Sequence, residues 1–224
     1  MRRMSERILV LLSGGIDSAV ALWLARRKNP LGAIYSLSID YHGRSRGEDE
    51  SAARLARKAG VTSHLKISLP FLRDSEDLPE REALTHRGSR LPPVFIPARN
   101  LIFYSCASHV AFSVTANRIT VGHNREDVDR FPDVGSSFIE RFNELLRESL
   151  PGYDLTLEAP LINYSKWEVV QLALELGVPL EDTWSCWGPG DLHCGRCEGC
   201  HARQKIFREV GMKDPTPYES INIP

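Results

Sequence analysis

The chain has 224 residues, of which 42% are hydrophobic and 25% charged, and its formal net charge is −1. This composition is typical of a globular protein and excludes a low-complexity chain. The near-neutral charge does not favour a general nucleic-acid binder, so we expect no nucleic-acid partner. No apolar stretch is as long as a membrane span, and the basic N-terminus lacks the features of a signal peptide. We therefore expect no membrane partner and a cytoplasmic location.

The first predicted elements are a strand, a glycine-rich turn and a helix. Residues 8–12 form an apolar, partly β-branched run that is typical of a buried parallel strand. Ser13, Gly14 and Gly15 then permit a tight turn in which an anion can approach several N–H groups. Apolar residues recur at helical spacing from Ile16, so the turn opens onto the positive end of a helix dipole. This arrangement predicts a phosphate-binding loop, although neither the Walker A pattern nor the dinucleotide GxGxxG pattern is present.

Strands and helices alternate along the next part of the chain. Strands are predicted at residues 33–39, 63–67 and 118–121. Helices are predicted between and after them, at residues 48–59, 100–115 and 137–150. Ser165 and Glu168 have the spacing of a capping box, and the helix that they begin is predicted to end at Gly177. Residues 70–93 show no clear period and could form a flap near a site. The alternation predicts an α/β fold with a Rossmann-like parallel sheet and flanking helices.

A cysteine-rich segment lies near the C-terminus. Two C-x-x-C steps share one residue, and a fourth thiol lies upstream, in the set Cys186, Cys194, Cys197 and Cys200. Four thiolates on a short loop favour tetrahedral zinc, although an iron–sulfur cluster uses the same ligands. We interpret the adjoining His193 and His201 as neighbours of this site rather than ligands, and Cys106 as a core residue.

Residues 13–18 read Ser-Gly-Gly-Ile-Asp-Ser and resemble the SGGxDS signature of the PP-loop ATP pyrophosphatases. Combined with the cysteine spacing, this signature makes the chain similar to the QueC family of 7-cyano-7-deazaguanine synthases over nearly its whole length. The signature alone is shared with several synthetases and with tRNA thiolases, so the cysteine spacing is the more specific mark. The other segments that match the family span residues 39–44, 95–100, 131–133, 159–161 and 183–203.

The resemblance implies an ATP-dependent ligase with a small-molecule substrate. Members of the family convert 7-carboxy-7-deazaguanine and ammonia to 7-cyano-7-deazaguanine, also called preQ0. The reaction uses two molecules of ATP, passes through an acyl-adenylate and an amide, and releases AMP and pyrophosphate. The resemblance also implies Mg²⁺ beside ATP, Zn²⁺ on the cysteines, a homodimer, and a role in queuosine or archaeosine biosynthesis. Residues 1–180 would form a PP-loop catalytic domain and residues 181–224 a zinc-binding subdomain.

The matching motifs provide three sets of candidate residues besides the cysteines. ATP would bind to Leu12, Ser13, Gly14, Gly15, Ile16, Asp17, Ser18, Ala19 and Val20. The candidate catalytic residues are Ser13, Asp17, Ser18, Arg99 and Lys166. The candidate substrate-binding residues are Arg99, Asn100, Asp127, Phe131 and Asp133. Residues after the second predicted strand could also line the site, namely Tyr41, His42, Arg44 and Arg46.

Structural roles could also explain several of these residues. Asp17 and Lys166 could be first-turn helix residues, although a carboxylate beside a triphosphate is better explained by Mg²⁺. Arg99 could be a solvated arginine at a helix start, and Asp133 a helix-capping acid. Phe131 could be a buried aromatic residue rather than one that stacks on a base.

Two positions depart from the family pattern. Ala98 replaces a glycine of the family's Pro-Gly-Arg-Asn segment, so we expect an ordinary negative φ there. In the family the segment that corresponds to residues 127–135 is thought to recognise the substrate, and this chain lacks the Ser-Gly and the Cys-Arg of that segment. A QueC-like ligase that adenylates a different carboxylate is therefore the main alternative function.

Two other functions remain open. A PP-loop tRNA thiolase would also adenylate its substrate, but it needs a sulfur relay, and only Cys106 is available for one. A non-catalytic zinc module could instead bind nucleic acid through His193, Arg196, His201, Arg203 and Lys205. Trp184 and Trp187 flank Cys186, and we interpret both as packing around the metal rather than stacking on bases.

Overall fold

Five parallel strands form one sheet in the computed structural model, which describes residues 6–41, 45–72, 85–91 and 95–219. They are β1 (Ile8–Leu11), β2 (Ile34–Tyr41), β3 (Ser63–Leu69), β6 (Arg118–Thr120) and β7 (Thr156–Glu158), in the order β3-β2-β1-β6-β7. In the segment predicted as a flap, β4 (Thr85–His86) and β5 (Ser89–Arg90) form an antiparallel hairpin. Other parts of that segment, residues 73–84 and 92–93, lie outside the described residues.

Seven α-helices flank the strands in the part of the chain that the structure describes. They are α1 (Ile16–Lys28), α2 (Arg46–Lys58), α3 (Arg99–Ser113), α4 (Arg125–Arg130), α5 (Ser136–Ser149), α6 (Lys166–Leu176) and α7 (Glu198–Val210). The parallel sheet and its helices confirm the predicted α/β fold. Sequence patterns did not predict β7, α4 or α7. β7 and α4 are too short to show a clear period, and α7 begins between Cys197 and Cys200, where the cysteine spacing suggested a loop. None of the described helices is long and apolar enough to cross a membrane.

Side chains of the central strand pack into cores on both faces of the sheet. Ile8 and Val10 belong to one cluster with residues of α1, α2, α6 and α7, whereas Leu9 belongs to a second cluster with residues of α3 and α5. All three are at most 2% exposed, as expected for a parallel strand covered on both faces. Because Ile206 and Phe207 of α7 belong to the first cluster, the C-terminal segment packs on the same core as α1. Its description as a separate subdomain stays a prediction.

The order of the strands creates a crevice at the carboxyl edge of the sheet. From β1 the chain continues to β2 and β3 on one side, and from β6 it continues to β7 on the other. Ligands of open α/β sheets bind at such a point, outside the strand ends. The structure confirms the predicted capping box at the start of α6. Glu168 N donates to Ser165 Oγ at 3.2 Å, and Ser165 N donates to Glu168 Oε2 at 2.7 Å. Lys166 is thereby the first residue of α6.

Candidate active site and metal centre

A cavity of about 430 Å³ lies at the carboxyl ends of β1, β2 and β6. Part of its wall is polar and includes Ser13, Asp17, Ser18, Arg99, His123 and Asp127. Another part is apolar or aromatic and includes Leu11, Leu37, Ile39, Tyr41, Phe103 and Tyr104. The cavity therefore joins an anion-binding loop to a surface that can hold a planar ring.

The phosphate loop is held in shape by its own hydroxyl groups and by α2. Ser18 Oγ lies 3.0 Å from Ser13 Oγ and donates a hydrogen bond to Gly15 O at 3.1 Å. Gly15 is the N-cap of α1 and has no side chain that could compete with an anion for the first N–H groups of the helix. Gly14 has a φ of +95°, and a Cβ there would lie 2.5 Å from Glu48 O. Only glycine fits this position, so the tight turn and its packing on α2 depend on it.

Asp17, in the first turn of α1, is held by two residues from distant parts of the chain. Its carboxylate forms an ion pair with Lys166 Nζ and accepts a hydrogen bond from Asn124 Nδ2 at 3.1 Å. Gly122, in the segment after β6, permits that segment to approach the start of α1 closely, because a Cβ at Gly122 would lie 2.7 Å from Ser18 N. Lys166 is thus a partner of Asp17 rather than a solvated cation. The carboxylate lies at the cavity wall, where it could bind Mg²⁺.

Asn124, Gly122 and His123 are absent from the candidates proposed from sequence. A local signal for Asn124 exists, because Asn124 and Asp127 have capping spacing and form a capping box with two 3.1 Å hydrogen bonds. The contact between Asn124 and Asp17 has no such signal, since it depends on the pairing of β1 with β6.

Burial shifts the pKa of three groups at the cavity. Burial, and then the negative charge of Asp17, raises the pKa of Asp127 to about 6. Burial, and then the positive charge of Arg99, lowers the pKa of His123 to about 4, so this ring is neutral at pH 7. Tyr104 Oη lies 2.7 Å from His123 Nε2, and burial raises the pKa of this phenol. Of the three groups, only Asp127 titrates near neutral pH.

Replacing Asp127 with asparagine is expected to stabilise the nucleotide-free protein in a pH-dependent way. Because an aspartate in an unfolded chain has a pKa of about 3.9, the folded state binds more protons than the unfolded state between about pH 4 and pH 6. The stability of the parent protein therefore falls as the pH rises through this window. The Tm of the D127N variant should exceed that of the parent at pH 7 and approach it at pH 4.

Asp129 on the same helix offers a comparison, since its side chain is 65% exposed and forms an ion pair with Arg87. Loss of an exposed ion pair changes the stability little, so the D129N variant should not have a higher Tm than the parent at pH 7. A D127N variant whose Tm exceeds that of the parent by the same amount at pH 4 and at pH 7 would contradict the raised pKa of Asp127.

The candidate substrate-binding residues take different positions. Asp127, Arg99 and Asn100 line the cavity. Asp133 accepts hydrogen bonds from Asn100 N at 3.1 Å and from Asn100 Nδ2 at 3.0 Å, so it fixes the start of α3. Phe131 lines a second cavity, of about 260 Å³, and the Arg99 guanidinium lies 5.7 Å from its ring centroid. A substrate-binding role for Asp133 and Phe131 stays a prediction.

The residues that follow β2 also differ in position. Tyr41 lines the cavity and contacts Phe103, with ring centroids 5.5 Å apart. Arg46 instead pairs with Glu50 on the exposed side of α2, at 2.7 Å. His42 and Arg44 lie outside the described residues.

The expectation of a negative φ at Ala98 is wrong. Ala98 is the N-cap of α3 and has a φ of +56°, in the left-handed region. Arg99 N donates to Ile96 O, and Ile102 N donates to Ala98 O, so the helix start keeps the turn that a glycine would favour. The side chain alone did not indicate this conformation, which costs an L residue about 1–2 kcal/mol.

Replacing Ala98 with glycine is expected to raise the free energy of unfolding by about 0.5 kcal/mol. Glycine removes the left-handed strain, and the greater entropy of its unfolded state offsets part of the gain. Ala53, inside α2, is the matched control, because A53G should lower the free energy of unfolding by about 1 kcal/mol. Urea denaturation measures both changes, and a loss of stability in both variants would contradict the prediction.

The four sulfur atoms of the cysteine-rich segment converge. All lie within 4.8 Å of one another, and two pairs are 3.9 Å apart, in the set Cys186, Cys194, Cys197 and Cys200. Tetrahedral zinc with Zn–S bonds of about 2.3 Å separates sulfurs by roughly 3.8 Å, so the arrangement fits this ion. Backbone N–H groups also point at the sulfurs, as from Gly188 N to Cys186 Sγ at 3.2 Å. The cluster can therefore hold a metal, and zinc as its occupant stays a prediction.

Two of the residues through which the alternative zinc module would bind nucleic acid are buried. His193 is 2% exposed, and its Nε2 accepts a hydrogen bond from Ser185 N at 3.0 Å. Arg203 is also 2% exposed and binds Asp214 Oδ2 at 3.0 Å. His201 is exposed on α7. Neither His193 nor Arg203 can contact a nucleic acid in this conformation, which argues against the non-catalytic zinc module.

The cysteine-rich segment also contacts the phosphate loop. Trp184 N donates a hydrogen bond to Gly14 O at 2.8 Å, and Ser51 Oγ donates to the same oxygen at 2.9 Å. Ser51 Oγ also contacts Asp182 O. The Trp184 side chain is buried among the cysteines, as expected for packing around the predicted metal. The Trp187 side chain is half-exposed and lines the cavity, and its interpretation as packing around the metal stays a prediction.

Comparison with known proteins identifies the family. The family described as "Queuosine biosynthesis protein QueC" matches residues 7–211. The chain belongs to the QueC family. A 7-cyano-7-deazaguanine synthase from Nostoc sp. is 37% identical over 224 residues, covering 95% of this chain and 97% of that protein. The synthase from Thermosynechococcus vestitus is also 37% identical, over 96% of each chain.

Among solved structures, the tRNA thiolase NcsA from Methanococcus maripaludis, with its 4Fe-4S cluster, matches with a TM-score of 0.55 at 16% identity. The match covers 93% of this chain and 68% of that chain, and it shows a common fold alone. The QueC assignment confirms the predicted resemblance and identifies the chain as a ligase-type enzyme with a PP-loop nucleotide-binding fold. The roles of the individual QueC site residues stay predictions.

Proposed function

We propose that the chain converts 7-carboxy-7-deazaguanine and ammonia to 7-cyano-7-deazaguanine at the expense of ATP, as a step of queuosine biosynthesis. The observation that carries the proposal is the single cavity in which a phosphate loop, Asp17 and Arg99 meet a ring-binding surface. Relatives with the name of this synthase match 95% of the chain, which supports the choice of substrate. A homodimer and a cytoplasmic location stay predictions.

Each activation needs a leaving pyrophosphate and a positioned oxygen nucleophile. The carboxylate oxygen attacks the α-phosphorus of ATP, the bond between that phosphorus and the bridging oxygen breaks, and pyrophosphate leaves. The N–H groups at the start of α1 and the hydroxyls of Ser13 and Ser18 would bind this pyrophosphate. Mg²⁺, when bound, neutralises the phosphate charge. Asp17 would hold that ion, while Lys166 and Asn124 keep the carboxylate in place.

The remaining steps form the carbon–nitrogen bonds. Ammonia attacks the acyl-adenylate carbon, the carbon–oxygen bond to AMP breaks, and the amide forms with loss of a proton from nitrogen. The amide oxygen then attacks a second ATP and releases pyrophosphate. Loss of the two N–H protons and departure of AMP leave the nitrile. Arg99, at the cavity wall, would stabilise the negative charge on the phosphorus during both activations.

The cysteine cluster takes no part in these steps in our proposal. Four thiolates complete the coordination of a tetrahedral ion and leave no position for a substrate. The cluster would therefore serve the reaction only through the segments that it holds.

Product analysis by mass spectrometry tests the proposed function. Purified, zinc-loaded protein is incubated with Mg-ATP, ammonium and 7-carboxy-7-deazaguanine, and nitrile, AMP and pyrophosphate are the expected products. Omission of ammonium should leave the adenylate and abolish both amide and nitrile. Folded protein that binds ATP but produces no amide or nitrile would contradict the substrate.

One observation favours a second candidate, a QueC-like ligase for a different carboxylate. Asp133 is bound to Asn100, and Phe131 lies at the second cavity, so neither side chain is placed against the phosphate loop. Pyrophosphate release with a panel of carboxylates distinguishes the two candidates. Release with 7-carboxy-7-deazaguanine at least tenfold faster than with the others would exclude the second one.

A further inference from the structure

Trp187 is a large aromatic residue that the cysteine-rich segment carries to the wall of the cavity. Its side chain is 51% exposed and lines the cavity, whereas the neighbouring Trp184 is 7% exposed and packs among the cysteines. A single exposed aromatic residue needs no explanation on a protein surface. Because it lines the same cavity as Ser13 and Arg99, Trp187 is part of a concave site.

Contacts with the cysteine-rich segment fix both the backbone and the ring of Trp187. Its backbone N donates to Cys197 Sγ at 3.4 Å, and the next residue, Gly188, donates to Cys186 Sγ at 3.2 Å. The ring lies close to Gly199, where a Cβ would be 3.0 Å from Trp187 Nε1. These contacts restrict the backbone and one edge of the ring, which lowers the conformational entropy that the residue would lose on binding a ligand.

The wall formed by β2 and α3 offers a different surface for a planar group. Leu37, Ile39 and Tyr41 lie on β2, which pairs with the strand that leads into the phosphate loop. Phe103 of α3 contacts Tyr41 and extends this wall. This wall suits the adenine of an ATP molecule whose phosphates lie on the loop. The proposed reaction must hold a second planar molecule at the same time, and Trp187 is an aromatic surface that the adenine would leave unused.

We propose that Trp187 is a substrate-binding residue whose indole contacts the planar heterocycle that bears the reacting carboxylate. This inference rests on the proposed function. An indole provides a broad apolar face for a heteroaromatic ring, and such contacts tolerate variation in the ring's hydrogen-bonding groups. The cysteine-rich segment would then contribute a substrate contact through Trp187, and the cluster would hold that segment in place.

Steady-state kinetics of two Trp187 variants test the proposal. In W187A the KM for 7-carboxy-7-deazaguanine should rise at least tenfold, while the KM for ATP stays within about twofold of the parent value. W187F should recover most of the loss, since it restores an aromatic face. Trp167 on α6 is the matched control, because it is 46% exposed and does not line the cavity, and W167A should keep both KM values.

Isothermal titration calorimetry with 7-carboxy-7-deazaguanine separates binding from chemistry and needs no fluorescent reporter. The parent and W167A should bind with the same affinity, and W187A should bind at least tenfold more weakly with an unchanged metal content and Tm. An unchanged KM in W187A, or a rise in the KM for ATP alone, would overturn the proposal and leave the proposed function intact. A parent protein that neither binds nor converts this carboxylate would overturn both.

Discussion

Replacing Asp17 with asparagine is expected to lower kcat/KM for ATP-dependent pyrophosphate release by about a hundredfold to a thousandfold. The carboxylate lies at the cavity, held by Lys166 and Asn124, where its charge would bind Mg²⁺ beside the triphosphate. Asparagine keeps the shape of the side chain and removes the charge, and loss of one preorganised electrostatic group typically has an effect of this size. A coupled pyrophosphate assay over a range of Mg²⁺ concentrations measures it.

Two further variants show whether the loss comes from the carboxylate. Asp154 is exposed before β7, so D154N should keep the activity of the parent. K166M removes the partner of Asp17 and should lower kcat/KM less than D17N does. A D17N variant that keeps a third of the parental activity, with a normal Tm, would contradict a metal-binding role for this residue.

Replacing Cys200 with serine is expected to remove the bound metal and to lower the Tm by about 10 °C or more. Cys200 is fully buried in the cluster, and a bound structural metal contributes several kcal/mol or more to folding. Because Trp184 N donates to Gly14 O, disorder in this segment should also weaken ATP binding by about tenfold. Metal analysis, calorimetry and ATP titration measure the three effects.

Cys106 provides the control for this prediction, because it lies on α3 outside the cluster. Its replacement by serine should preserve the metal content and the affinity for ATP. If C200S lost its metal yet kept the parental Tm and ATP affinity, the cluster would not support the phosphate loop.

Local patterns predicted those parts of the fold and site that depend on neighbouring residues. The apolar run before Ser13 indicated the buried strand, and the capping box at Ser165 indicated the start of α6, both of which the structure confirms. The spacing of the cysteines indicated their convergence because all four ligands lie in one short segment. In each case the signal and the structure occupy the same stretch of chain.

Contacts between distant segments were not predictable in the same way. The ion pair between Lys166 and Asp17 forms only when β1, β6 and α6 are packed together. The spacing of these residues along the chain does not indicate that packing. The cavity position of Trp187 likewise depends on how the cysteine-rich segment packs against α2. The prediction of a negative φ at Ala98 was wrong for a different reason, since the turn at the start of α3 holds this residue in a conformation against its local preference.

The bond between Lys166 and Asp17 has a consequence for synthesis on the ribosome. These residues are 149 positions apart, and Ser51 is 131 positions from its contact at Asp182. A nascent chain that has completed β1, α1 and α2 therefore has the phosphate loop and its contacts with α2, but it lacks Lys166, Asp182 and Trp184, which complete the contacts of the site. Most of the chain must leave the exit tunnel before the nucleotide site can close, so stalled or truncated chains should not retain ATP.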